Sequence, residues 1–131
     1  MRFAGSNWTI ATGLAVAGLV MAVTPRTASA QGDAAHGKSV FESQCTACHS
    51  LTANRVGPKL GGVVGRKAGT AAQFQYSPAL KASSIVWSQP TLDQWLTSPQ
   101  SLIPGQRMNI TVSDAKRRAD IIAYLMSAGA K

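Results

Sequence analysis

Both cysteines of this 131-residue chain fall within one pentapeptide, Cys45-Thr46-Ala47-Cys48-His49. Two thiols three positions apart share one face of a helical turn, close enough to bond to the two vinyl groups of a single porphyrin. The histidine that follows can then bring an imidazole nitrogen to the iron, and C-x-x-C-H is read as a c-type haem attachment site. Two other chemistries use the same residue types. A thiol–disulfide centre is expected beside a βαβ pattern, and no strand-rich run precedes Cys45; it would leave free thiols and no colour. A zinc site needs further Cys or His ligands, and His36 is the one histidine left over.

A porphyrin iron has a second axial position. The methionines are Met1, Met21, Met108 and Met126. The first two lie in the N-terminal apolar stretch and Met126 in a helical pattern, whereas Met108 follows a Pro104-Gly105 turn that could carry a thioether across a pocket. A single methionine ordinarily fills core space; beside a haem motif, Met108 becomes the candidate second ligand. Met/His ligation raises the potential of haem iron and closes it to oxygen, which is carrier chemistry.

A metal-bound imidazole is normally held through its other nitrogen. In the loop-like stretch 50–66, with Gly57-Pro58, Gly61-Gly62 and Gly65, the Pro58 carbonyl is the candidate acceptor, because the fixed φ of proline makes a rigid mount. Arg66 is the candidate partner for the haem propionates, which need cationic or hydrogen-bonding neighbours when buried. Tyr76, Trp87 and Trp95 each join an apolar ring to one polar tip, which suits a cleft with carboxylates at one end. Each alone reads equally well as a core aromatic.

Helices must position these groups. Asp33 is an N-cap for a helix over Ala34–Gln44, in which Gly37, Val40 and Phe41 run on to Cys45 and Cys48 in the i, i+3, i+4 rhythm. Glycine inside a helix costs stability, so Gly37 predicts a close helix crossing; His36 reads as a surface histidine. Thr91 with Gln94 forms a capping box for a helix over 92–97, which Pro99 stops. Ser113 caps a terminal helix with Asp114 in its first turn and a stripe of Ala115, Ala119, Ile122 and Met126. That helix ends before Gly129 and is expected to cross the first near Gly37.

The first thirty residues read as a secretory signal peptide. Arg2 starts it, an apolar run covers 10–23, and Ala28-Ser29-Ala30 offers a cleavage site, leaving a single domain over 31–131. The run is shorter than the ~20 residues of a membrane span, although retention as an anchor stays open. Of thirteen basic residues Arg2 and Arg26 leave with the leader, so eleven face five acids, a net of +6 before two propionates are counted. Scattered basic residues in an exported protein argue against nucleic acid and for an acidic protein partner or an anionic membrane surface touched peripherally.

Taken together, the chain from Gln31 resembles the class I cytochromes c of mitochondria and their bacterial relatives. The resemblance is carried by Cys45–His49, Gly57-Pro58-Lys59-Leu60, the stretch 65–69, Phe74-Gln75-Tyr76-Ser77-Pro78-Ala79, Trp87, Thr91-Leu92-Asp93, Pro104-Gly105 with Met108, and 118–125. It implies an all-α cytochrome c fold, three to five helices wrapped around one covalently bound haem c. Cys45 and Cys48 would form the thioethers, with His49 and Met108 axial and Pro58 supporting the histidine. Arg66, Tyr76 and Trp87 would hold the propionates, and Gly37 and Phe41 would pack on Ile121 and Tyr124. Four departures stand out. Gln106 replaces a threonine, Trp95 a tyrosine whose hydroxyl touches the methionine sulfur, and Leu80 an asparagine. Gln44, Gln100 and Ser101 stand where mitochondrial relatives have docking lysines, while Arg55 and Arg107 stay basic.

The expectation is a monomeric, exported, periplasmic electron carrier and not an enzyme. Its partners would be redox proteins, a quinol–cytochrome c reductase as donor and an oxidase or reaction centre as acceptor. Rival readings are a ligand-binding or peroxidase-like haem protein with Met108 weakly bound, and a dedicated subunit of a periplasmic dehydrogenase.

Overall fold

The computed structural model describes residues 31–129; the signal peptide read at 1–30 lies outside them. The described residues form five helices: α1 (Ala34–Gln44), α2 (Pro78–Ala82), α3 (Gln89–Thr97), α4 (Pro99–Leu102) and α5 (Ala115–Ala128). Their starts are set by local chemistry. The Asp33 carboxylate accepts the N–H groups of Ala35 and His36 at the head of α1, supplying partners for two of the four N–H groups that an α-helix leaves unpaired. Ser77 does the same for Leu80 in α2, with Pro78 at the first position, where its missing N–H costs nothing.

Two helix starts differ from the sequence expectation. Helix α3 begins at Gln89 because Ser88, not Thr91, is the N-cap: Ser88 Oγ accepts from Thr91 N while Thr91 Oγ1 accepts from Ser88 N. Threonine here performs the reciprocal half of the box usually given to Glu or Gln, and Pro90 is tolerated in the first turn. Helix α5 is capped by Asp114, whose carboxylate accepts from Arg117 N at 2.7 Å, not by Ser113. Pro99 both ends α3 and opens the single turn of α4.

Helices α1 and α5 cross at Gly37. A Cβ built there would stand 1.9 Å from the Asp120 carbonyl oxygen, so only glycine lets the two backbones approach this closely. Past the crossing, the Phe41 and Tyr124 rings pack at 5.3 Å between centroids, and Ile121, Ile122 and Leu125 are buried. Helix α3 is tied to α5 by Arg118 Nε donating to Asp93 Oδ1 at 2.7 Å. The same guanidinium donates to the carbonyls of Val112 and Ser113, which fixes the segment entering α5.

His36 is more than a surface histidine. Its ring is half exposed, but Nδ1 lies 2.6 Å from Asp120 Oδ2 across the helix crossing. The Asp120 side chain is fully buried and also accepts from Lys116 Nζ and from the Asp33 backbone N–H, both at 2.7 Å. These contacts, with Lys116 first, then Asp33 N and His36, hold the Asp120 carboxyl well below the usual carboxylate range. A buried carboxylate is tolerated because it is paired on all sides.

Between α1 and α2 the chain is loop, with one isolated antiparallel bridge among the described residues, Lys67 to Val86. Hydrogen bonds from Gly65 N to Trp87 O and from Trp87 N to Arg66 O extend it. They bring Arg66 and Trp87 side by side from positions 21 apart in the sequence.

Candidate functional site

The loops and the inner faces of α1, α3 and α5 enclose a largely apolar cavity of about 460 Å³. The motif enters it from the end of α1. Cys45 caps that helix, and the backbone N–H groups of Cys48 and His49 both return to the Cys45 carbonyl, so a tight turn sets the two thiols and the imidazole on the cavity wall. The cysteines are not joined to each other. Burial first, and the neighbouring Cys48 second, push the Cys45 thiol up, so it stays protonated at neutral pH.

His49 Nδ1 lies 2.8 Å from the Pro58 carbonyl oxygen. A carbonyl only accepts, so Nδ1 donates in this bond and Nε2 is the nitrogen left to face a metal. Gly57 completes this mount: a Cβ there would lie 2.2 Å from His49 Cε1, inside contact distance of the ring. The Gly57 N–H bonds to the Cys48 carbonyl, so the loop carrying Pro58 is pinned to the motif itself.

Met108, 59 positions after His49, lines the same cavity. Trp95 Nε1 of α3 donates to Met108 Sδ at 3.2 Å, and the Trp95 ring meets Trp87 edge-on at 5.2 Å. Trp87, Arg66 and Tyr76 also line the cavity, so every candidate site residue drawn from the sequence reaches this one space. Arg66 donates to the carbonyls of Lys59 and Gly61, which uses two of its five donors. The Tyr76 hydroxyl accepts from Ala71 N at 3.2 Å and keeps its own proton for another acceptor.

Sequence reasoning passed over the role of Gln106. It is buried, and its amide bonds both backbone polar groups of Met108: Oε1 accepts the Met108 N–H and Nε2 donates to the Met108 carbonyl at 2.7 Å. The one signal available beforehand was a large polar residue where related chains have a small one.

These residues fit a haem. The cavity falls in the range of small-ligand sites and its walls are mainly apolar. Two thiols that could bond to the porphyrin vinyl groups line it, with one imidazole Nε2 and one thioether that could ligate the iron.

A family model described as "Cytochrome c" matches residues 34–129. The chain belongs to the cytochrome c family. Among solved structures it is similar to cytochrome cH from Methylobacterium extorquens, at 48% identity and a TM-score of 0.70, covering 73% of this chain and 99% of that one. It is also similar to ferricytochrome c2 from Rhodopseudomonas palustris, at 35% identity and a TM-score of 0.69, covering 73% and 98%. Cytochrome c of Tetrahymena pyriformis is 43% identical over 105 residues, 79% of this chain and 95% of the relative. As a cytochrome c, the chain is an electron carrier with one covalent haem c in a mostly helical cytochrome c fold, and the family works with redox partner proteins.

Proposed function

We propose that this cytochrome c is exported to the periplasm, loses residues 1–30 after Ala30, and works there as a monomeric shuttle between larger redox complexes. It is not an enzyme in this reading: no side chain acts as acid, base or nucleophile. Cys45 and Cys48 would hold the haem through two thioethers, and His49 Nε2 and Met108 Sδ would ligate its iron. When bound, the haem supplies one-electron chemistry, its iron alternating between ferrous and ferric. The protein holds the ligands, excludes water and tunes the potential.

The single observation that carries the proposal is the Trp95–Met108 contact in the cavity that His49 enters on its Pro58 mount. Both axial ligands are held by other residues, which suits a carrier closed to external ligands and disfavours a peroxidase-like site. Pro58 orients the imidazole; Arg66, Tyr76 and Trp87 supply donors for the propionates. Export is supported by the leader pattern, and the donor and acceptor are a quinol–cytochrome c reductase and an oxidase or reaction centre. No helix among the described residues is long and apolar enough to cross a membrane.

The test is optical. The ferric protein should show a thioether-to-iron charge-transfer band at the red edge of the spectrum. Met108→Ala should lose that band, lower the potential and let carbon monoxide bind the ferrous form. An unchanged potential without carbon monoxide binding removes Met108 from its role.

A further inference from the structure

We propose that Gln106 is a positioning residue that keeps Met108 on the iron, with Gln100 bracing it from behind, an inference that rests on the axial role of Met108 proposed above. The backbone around Met108 belongs to no helix or strand, so its polar groups have no ladder to join. The Gln106 amide takes both of them, accepting at Oε1 and donating at Nε2. A side chain needs one acceptor and one donor in a plane to do this, which the glutamine amide offers. The orientation of the amide follows from the pairing itself.

Gln100 of α4 repeats the device one step back. Its Nε2 donates to the Gln106 carbonyl at 3.1 Å and its Oε1 accepts from Gly105 N at 3.2 Å. The Gln106 N–H closes onto the Ile103 carbonyl, and Gly105 takes the positive φ of +88° that the turn requires. Two glutamines thus hold a short hook by its backbone, while Trp95 holds the tip at the sulfur. Swinging Met108 away breaks both contacts of the Gln106 amide, which is buried. A buried amide left without partners is costly, so the hook resists opening.

The segment 98–114 contains no lysine, histidine, cysteine or second methionine. Opening the hook therefore offers the iron no substitute from the same loop, and an added ligand reads the open population directly. With imidazole as the probe, apparent affinity scales with the fraction of open protein.

The experiment compares ferric holoprotein with Gln106→Leu, which removes both contacts, and with Gln106→Glu, which keeps the shape but removes the donor. Expected is imidazole binding about tenfold tighter in each, with the red-edge band weakening at lower imidazole and the helical signal unaltered. Imidazole affinity within about twofold of the unaltered protein in both variants overturns the clamp. If either variant fails to mature with haem, hydrogen exchange in the unaltered protein decides. A Met108 amide protected well beyond its neighbours Asn109 and Ile110 supports the clamp, and exchange at a free-peptide rate overturns it. Met108→Ala separates this from the reading beneath it: an unaltered protein without the red-edge band, or a Met108→Ala variant that keeps it, removes the axial role itself.

Discussion

At the scale of single residues, the indole N–H on Met108 Sδ is the contact most open to test. The positive end of that dipole lies at the sulfur, where it disfavours the more positive state of a metal bound there. Trp95→Phe keeps a ring in contact with Trp87 and removes the donor. Redox titration should then show a lower potential, by on the order of 40 mV for one net hydrogen bond in a one-electron couple. A potential that rises or stays put would separate Trp95 from the tuning. The acceptor for His49 was legible in the sequence, because a Gly57-Pro58 step beside the motif is rigid and offers a carbonyl without an N–H. The Gln106 contacts were not. A glutamine two positions from a methionine says nothing of whether its amide turns inward, and that depends on how the hook folds over Gly105.

Among the elements, the α1–α5 crossing is the most demanding junction. Gly37 has no room for a Cβ against the Asp120 carbonyl, and that requirement could be anticipated from a glycine on the buried face of an otherwise good helix. Gly37→Val should force the helices apart, costing about 3 kcal/mol and lowering the melting temperature by more than about 10 °C, as read by thermal unfolding of the holoprotein. At the same crossing, the Asp120 carboxyl is depressed by Lys116, Asp33 N and His36. The unfolded chain then binds a proton at Asp120 more readily than the folded one. The stabilisation is complete above the ordinary carboxylate pKa of about 3.9 and disappears as pH falls from there toward the depressed folded value. Asp120→Asn should lower stability at pH 7 and flatten its decline below about pH 4, measured by denaturant unfolding across pH; an acid limb as steep as the parent's would assign the decline to other groups. The start of α3 shows why element boundaries resist reading. Ser88 and Thr91 are both good caps, and only the backbone at Ser88, extended at φ −137°, chooses between them.

At the scale of the whole molecule, a chain of this size closes around a cavity of about 460 Å³, and a covalent haem supplies the apolar volume its core lacks. If the leader is removed as proposed, the periplasmic protein expressed in a host that attaches haem should have the mass of residues 31–131 plus one haem. The full-length mass, or recovery with membranes, would mean that residues 1–30 stay as an anchor. The sequence by itself determined the chemistry: two thiols and an imidazole at fixed spacing can be read without a fold, because neighbours on one helical turn are near one another by geometry alone. Asp33, Gly37 and Pro58 were legible for the same reason, each acting through its own backbone or its next few neighbours. Tertiary structure decided what depends on distant segments meeting. It placed Arg118 against Asp93 and Asp120 beneath His36, since such contacts are set by how helices pack and not by any local pattern.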